Sequence, residues 1–175
     1  VLVPEPLVHQ WFVELLRRFN FLFALFDEER CASLVAHEPN ANPFLDSQLI
    51  LCATDFLTDH PERANQARAA GFDLLIVDEA HHLEWHPDDP SPAYAMVESL
   101  ATDIPALLLL TATPQQLGPD GHFARLRLLD PDRYTDLEHF QAEAAGYEHL
   151  ADVVARLADG GQPTQSGLAP LPGPP

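Results

Sequence analysis

The chain has 175 residues, 46% of them hydrophobic, and it carries 27 acidic residues against nine basic ones, for a formal net charge of −18. This apolar content excludes a disordered chain, and so acidic a domain repels nucleic-acid phosphates unless a longer parent protein supplies a basic surface. No apolar stretch is long enough to cross a bilayer, and the two cysteines form no C-x-x-C pair. We therefore predict no membrane partner, no four-cysteine zinc site, and a cytoplasmic, reducing location.

Short apolar runs typical of buried strands alternate with longer segments of helical spacing along the first two thirds of the chain. Strands that alternate with helices of this length form a parallel sheet with right-handed crossovers. The predicted fold class is therefore α/β, with a parallel sheet flanked by helices. In chain order we predict a strand at 1–3, a helix from 7, a strand at 21–26, a helix from 27, a strand at 48–53, a helix at 61–70, a strand at 72–77, a helix at 93–102 and a strand at 106–110.

The last third of the chain has a different pattern. Helical spacing continues at residues 122–129, 136–145 and 148–158, whereas the residues from 160 onwards are rich in Gly, Pro, Ser and Gln and poor in apolar side chains. Such a composition cannot offset the entropy of ordering a segment. We therefore divide the chain into a sheet-containing lobe at 1–120, a helical extension at 121–159 and a disordered tail at 160–175.

Two adjacent acids, Asp78 and Glu79, follow the apolar run at 74–77 directly. Carboxylates at the carboxyl end of a parallel strand lie where α/β sheets bind ligands. In P-loop enzymes such a strand presents one carboxylate to Mg²⁺ and a second to the attacking water. We predict that Asp78 holds Mg²⁺, directly or through water, that Glu79 is the general base, and that His81 links this loop to its neighbour.

The sequence has no lysine, because all nine basic residues are arginines. The phosphate-binding loop G-x-x-x-x-G-K-[ST] needs a lysine to reach the β- and γ-phosphates of a nucleotide. The chain is therefore predicted to be part of an ATPase lobe that lacks its P-loop, with ATP and Mg²⁺ as cofactors of the parent protein. We expect the isolated chain to be inactive.

A second polar motif, Thr111-Ala112-Thr113, follows the next predicted strand. Two hydroxyl side chains around an alanine can form hydrogen bonds with a neighbouring loop without crowding it. They are predicted to couple the nucleotide site to the rest of the enzyme, although an ordinary threonine-capped turn is an equal alternative for this motif alone.

Histidines near the acidic pair raise a competing interpretation. His82 and His86 are four residues apart, and with His81 and Glu84 they could form the zinc site of a hydrolase. The absence of the H-E-x-x-H order and the presence of Pro87, which disfavours a helical conformation at His86, both argue against this interpretation. A third interpretation is a truncated, non-catalytic module whose acidic surface binds a protein.

Three segments together resemble motifs Ia, II and III of the Swi/Snf branch of helicase superfamily two. They are Val-Pro-Glu-Pro-Leu-Val-His-Gln-Trp at 3–11, Asp-Glu-Ala-His-His-Leu at 78–83 and Leu-Leu-Thr-Ala-Thr-Pro at 109–114. Further segments resemble the bacterial RNA polymerase-associated members of that branch: 14–20, 23–27 and 122–131.

The resemblance implies part of the first RecA-like lobe of a two-lobe ATPase. It implies that the full-length parent moves on double-stranded DNA, has the RNA polymerase core as its partner and recycles the polymerase during transcription. Asp78, Glu79 and His81 would form the DEAH-type box, and Thr111 with Thr113 would couple hydrolysis to movement.

The resemblance also implies contacts to nucleic acid. Residues 52–55 are similar to motif Ib, which makes Thr54 and Asp55 candidates for contact with the DNA backbone. Trp11 is a further candidate, although its position also suits the core-facing side of its helix.

Overall fold

The computed structural model describes residues 1–112 and 118–146, apart from the side chain of Pro119. It divides into two compact units, Val1–Leu129 and Asp130–Pro175. The predicted helix at 148–158 and the predicted tail at 160–175 lie outside the described residues. None of the helices within the described residues has both the length and the apolar character to span a bilayer.

The first unit contains five strands and six α-helices within its described residues. The strands are β1 (Leu2–Val3), β2 (Ala24–Phe26), β3 (Ile50–Ala53), β4 (Leu74–Val77) and β5 (Ala106–Leu109). The helices are α1 (Val8–Phe19), α2 (Glu28–His37), α3 (Thr54–Asp59), α4 (Pro61–Arg68), α5 (Pro92–Asp103) and α6 (Gly118–Leu129). In the second unit, residues 137–146 are helical.

All strand pairs are parallel, and the strand order is β2-β3-β1-β4-β5. The two-residue strand β1 lies in the middle, where Leu2 pairs with Cys52 on one side and with Val77 on the other. The predicted α/β class with a parallel sheet flanked by helices is confirmed. Because every strand runs in the same direction, the carboxyl ends of all five strands lie at one edge of the sheet.

The centre of the sheet is buried, as its apolar sequence predicts. Val3, Leu51 and Val77, one from each of the three central strands, are almost fully inaccessible to solvent. By contrast, Ala106 and Leu108 of the outer strand β5 are exposed. The buried centre of the sheet is therefore formed by β1, β3 and β4, and the acidic pair directly follows β4.

Helix α6 belongs to the first unit. Phe123 and Ala124 are buried, and the hydroxyl of Tyr94 in α5 donates a buried 3.0 Å hydrogen bond to the carbonyl oxygen of Ala124. Burial raises the pKa of this tyrosine hydroxyl above its ordinary value. The predicted domain boundary after residue 120 falls inside α6, whereas the compact unit continues to Leu129.

Local signals in the sequence account for the starts of two helices. The Asp27 side chain accepts a 2.8 Å hydrogen bond from the Arg30 amide and caps α2, and the Ser91 hydroxyl caps α5 in the same way. Several expectations need correction. The strands predicted at 21–26, 48–53 and 72–77 are formed only at 24–26, 50–53 and 74–77, and the helix predicted from residue 122 begins at Gly118. Helix α3 was not predicted, because its six residues show no periodic apolar pattern; its Leu57 is buried.

An ion pair connects α2 and α4. Arg63, which is 7% exposed, donates from Nε and Nη2 to the two carboxylate oxygens of Glu28 at 2.8 and 2.7 Å. The hydrogen bonds from Arg63 lower the pKa of Glu28 below its ordinary value. The stabilisation is therefore present above the ordinary glutamate pKa and is lost as the pH falls through the lowered value.

Replacement of Glu28 by alanine is expected to lower the free energy of unfolding at neutral pH by about 1–3 kcal/mol, because it removes the acceptor of Nε and Nη2 of a buried guanidinium and leaves only the bond from Nη1 to Gln66. The difference from the parent chain should shrink when urea denaturation is repeated below the pKa of Glu28. Glu62→Ala is the matched control, since Glu62 also lies in the first turn of its helix but is 3.9 Å from Arg63. Equal losses for the two variants would contradict the assignment.

Candidate active site

The acidic pair lies at the carboxyl edge of the sheet, beside the end of β5. The amide of Leu110 donates to the carbonyl oxygen of Val77, and the amide of Ala80 donates back to the carbonyl oxygen of Leu110, both at 2.8 Å. These two bonds continue the β4–β5 pairing beyond the strands. The loop after β4 and the loop after β5 therefore lie side by side at this edge of the sheet and share one mouth.

Both carboxylate oxygens of Asp78 accept hydrogen bonds. Oδ2 accepts a 2.7 Å bond from the indole Nε1 of Trp11, and Oδ1 accepts a 2.9 Å bond from the Glu79 amide. The Asp78 amide in turn donates to the carbonyl oxygen of Leu2 at 2.9 Å. The backbone and the carboxylate of Asp78 are thus held from the neighbouring central strand and from α1.

Glu79 has a left-handed backbone conformation, with φ of 50° and ψ of 43°. Such a conformation is uncommon for a residue with a long side chain, and strained backbones of this kind concentrate at functional sites. The other residue with positive φ that is not glycine is Asn20, within the described residues, and asparagine tolerates this region at a helix end. The strained glutamate therefore marks the loop after β4.

His81 lies between Glu79 and Thr111. Its Nδ1 is 3.0 Å from Oε2 of Glu79 and 3.4 Å from Oγ1 of Thr111. Oε2 of Glu79 is buried, and among the described residues no group meets hydrogen-bond geometry with it, so the approach of His81 is a charge contact when the imidazole is protonated. A single imidazole thus contacts both motifs. Ala112 is exposed, and Thr113 lies outside the described residues.

The residues at this mouth fit a magnesium ion by their chemistry. Magnesium prefers carboxylate oxygens and water, and a carboxylate offers about four lone-pair positions, of which the hydrogen bonds to Asp78 occupy two. Asp78 can therefore hold the ion while it keeps both hydrogen bonds. The competing zinc arrangement receives no support from geometry, because the described residues contain no cluster of three or more His, Cys, Asp or Glu placed to hold a metal.

The candidates for contact with nucleic acid lie at the same edge of the sheet. Thr54 and Asp55 begin α3 directly after β3, with Asp55 exposed and Thr54 half-buried. Trp11 is half-buried in α1, where its indole nitrogen donates a hydrogen bond to Asp78. Their roles in DNA contact stay predictions.

Sequence reasoning missed the contact between Trp11 and Asp78. These residues are 67 positions apart, and the pattern of each segment contains no sign that β1 pairs with β4. A strand order would have revealed the contact, since α1 starts from the carboxyl end of β1. It also missed the left-handed conformation of Glu79, for which the sequence has no signal because glutamate is not a turn residue.

Comparison with known proteins identifies the family. The family model described as the type III restriction enzyme, res subunit, matches residues 5–116, more than half of the chain. The chain belongs to this family. The matched range includes α1, the acidic pair and Thr111, and it contains every site residue that the sequence predicts.

This member of the res-subunit family is also similar to a longer bacterial protein. RNA polymerase-associated protein RapA from Histophilus somni is 57% identical over 159 residues, which are 90% of this chain and 16% of the relative. RapA from Pseudomonas fluorescens strain Pf-5 is 56% identical over 162 residues, which are 93% of this chain and 17% of the relative. The chain therefore spans about a sixth of these relatives, and the resemblance to RNA polymerase-associated members is confirmed.

A solved structure agrees with the fold. The Sulfolobus solfataricus SWI2/SNF2 ATPase core, determined in complex with double-stranded DNA, superimposes with a TM-score of 0.60 at 20% identity. The match covers 81% of this chain and 27% of that chain. The predicted RecA-like lobe of Swi/Snf type is thus confirmed as a fold.

Proposed function

We propose that this chain is the section of a RapA-like, Swi/Snf-type ATPase that carries the magnesium-binding and water-activating carboxylates. The observation that supports the proposal is the shared mouth, in which His81 contacts Glu79 on one side and Thr111 on the other. A solvated turn after a strand would not need these three side chains to converge.

In this proposal Asp78 holds Mg²⁺, which when bound neutralises charge on the nucleotide phosphates. Glu79 orients the attacking water and accepts its proton as general base. The strained backbone of Glu79 presets its carboxylate next to His81. His81 and Thr111, with Thr113, transmit the state of the nucleotide site to the loop after β5.

The parent protein supplies what these 175 residues lack. The lysine of a phosphate-binding loop has to come from elsewhere, because the chain contains none. We also propose that the parent acts on double-stranded DNA, with Thr54, Asp55 and Trp11 as candidate contacts, and recycles the RNA polymerase core in the bacterial cytoplasm. A chain with a net charge of −18 needs basic surfaces of the parent for that task.

We expect the isolated chain to show no ATP hydrolysis, with or without duplex DNA. Positioning and neutralisation of the phosphates supply most of the catalysis of phosphoryl transfer, and the chain has no lysine for this purpose. Release of radiolabelled phosphate by the purified chain should equal that of Asp78→Ala. DNA-stimulated release above this control would contradict the prediction.

The proposal itself is tested by grafting. The chain replaces the matching 162-residue segment of Pseudomonas fluorescens RapA, to which it is 56% identical. If the chain carries the carboxylates of an ATPase, the graft should hydrolyse ATP and the same graft with Asp78→Ala should not. A graft that unfolds cooperatively but fails to hydrolyse ATP would overturn the proposal.

The second candidate is a non-catalytic module that binds RNA polymerase or another protein through its acidic surface. The high negative charge favours it. The coding sequence separates the candidates, because an in-frame P-loop upstream supports the ATPase and its absence from the whole reading frame supports the module. Binding of the isolated chain to RNA polymerase core in a titration would favour the module further.

A further inference from the structure

The hydrogen bond between Trp11 and Asp78 connects α1 to the proposed magnesium site. At 2.7 Å between Nε1 and Oδ2, it lies at the short end of the range for N–H···O bonds, as expected for an ionised acceptor. The two residues come from different segments, and both are half-buried. The bond is therefore a tertiary contact between the two motifs rather than a local turn.

The fold places this indole beside the carboxylate for a structural reason. Leu2 of β1 pairs with Val77 of β4, and the Asp78 amide donates to the Leu2 carbonyl oxygen. The chain leaves β1, passes through a short 3-10 turn at Glu5–Leu7 and enters α1 at the same edge of the sheet. Trp11, the fourth residue of α1, consequently lies next to Asp78.

Packing alone does not account for Trp11. Every residue of α1 is at least partly exposed, so the tryptophan is not one of the buried anchors of the core. Trp85, by contrast, is buried, and its ring packs against that of Phe123 with 5.3 Å between the ring centroids. The indole of Trp11 also has one donor and no acceptor, and that donor is directed at a carboxylate.

An indole is well suited to hold a carboxylate that also binds a cation. It donates a hydrogen bond but carries no charge, so it orients Oδ2 without competing with the ion as an arginine or lysine would. The Glu79 amide orients Oδ1 in the same manner. The two donors fix the plane of the carboxylate and leave lone pairs for a metal and its waters.

We propose that Trp11 is a positioning residue for the magnesium carboxylate, acting through its hydrogen bond to Asp78. The inference rests on the proposed function, because it assigns Asp78 to the metal. Partners that orient a metal ligand typically contribute about 10–100-fold in metal affinity. Loss of the indole donor should therefore weaken the site while the fold is retained.

The test uses the ¹⁵N-labelled chain and Mn²⁺ alone, a paramagnetic ion that accepts the same oxygen ligands as Mg²⁺. The Glu79 amide, which donates to Asp78, reports binding at this site among the many other acids. In Trp11→Phe, half-broadening of this amide signal should require about 10–100-fold more Mn²⁺ than in the parent chain. Trp85→Phe, the matched control, should leave that concentration unchanged.

The outcomes separate the inference from the proposed function. Equal Mn²⁺ affinity in Trp11→Phe and the parent chain overturns the positioning role and leaves the site intact. Broadening that persists in Asp78→Asn overturns the metal site and the inference with it.

A second measurement does not require Trp11 to be changed. The indole N–H signal of Trp11 should move in Asp78→Asn, because a charged acceptor becomes neutral, while the signal of Trp85 should stay in place. An unmoved Trp11 signal would overturn the inference even if Trp11→Phe failed to fold.

Discussion

Replacement of Glu79 by glutamine in the RapA graft is expected to lower the rate of ATP hydrolysis by about 10²–10⁴-fold, the usual contribution of a general base. Glutamine preserves the size of the side chain and its place beside His81, but it cannot accept the proton of the attacking water. Nucleotide binding should persist, because the proposed metal ligand is Asp78. Steady-state phosphate release and nucleotide titration on the same preparation measure the two effects.

The matched control for this experiment is Glu84→Gln. Glu84 lies on the same loop five residues later, and its side chain is exposed. The control removes the same charge from a protein that is already strongly acidic, so it should leave hydrolysis close to the parent rate. If both variants lose activity equally, ATP hydrolysis depends on the net charge of the loop, and Glu79 is not the base.

The second large effect concerns stability. Phe123→Ala is expected to lower the free energy of unfolding by about 3–5 kcal/mol, because it removes a large ring from a close-packed site. Phe123 is 1% exposed and lies one residue before Ala124, which accepts the hydrogen bond of Tyr94. The loss would show that α6 is an integral part of the first unit, whose core also supports the mouth of the site.

Urea denaturation followed by circular dichroism measures this loss. Phe19→Ala removes the same ring from a position that is 63% exposed, so its effect should stay within about 0.5 kcal/mol. A small, equal effect for both variants would mean that α6 is peripheral to the first unit.

Prediction from the sequence succeeded where a local pattern has a single structural solution. The apolar run at 74–77 forms a strand, and helices begin next to Asp27 and close to residue 93, as the sequence predicts. It was less successful where tertiary packing overrides local preference. Helix α3 has no periodic pattern, and residues 21–23 are apolar but do not join the strand at 24–26.

In the candidate site, too, local patterns predict some features and the strand order decides others. The position of the acidic pair and of Thr111 at one edge of the sheet could be predicted from sequence, because each follows an apolar strand and parallel strands end at one edge of a sheet. Whether the two motifs touch could not be assigned, since the contact of His81 with Thr111 depends on β5 being the neighbour of β4. The strand order also decides that Trp11 meets Asp78.

The amino-acid order by itself determined the kind of chemistry available here. Neighbouring carboxylates after an apolar strand suit a divalent cation and a water, and a chain without lysine cannot build the phosphate loop that accompanies such carboxylates in P-loop enzymes. Only the tertiary structure decided how those carboxylates are held. Strand pairing between distant segments brings the indole of Trp11 to Asp78 and the hydroxyl of Thr111 to His81, and such long-range pairing leaves no trace in the local pattern of either segment.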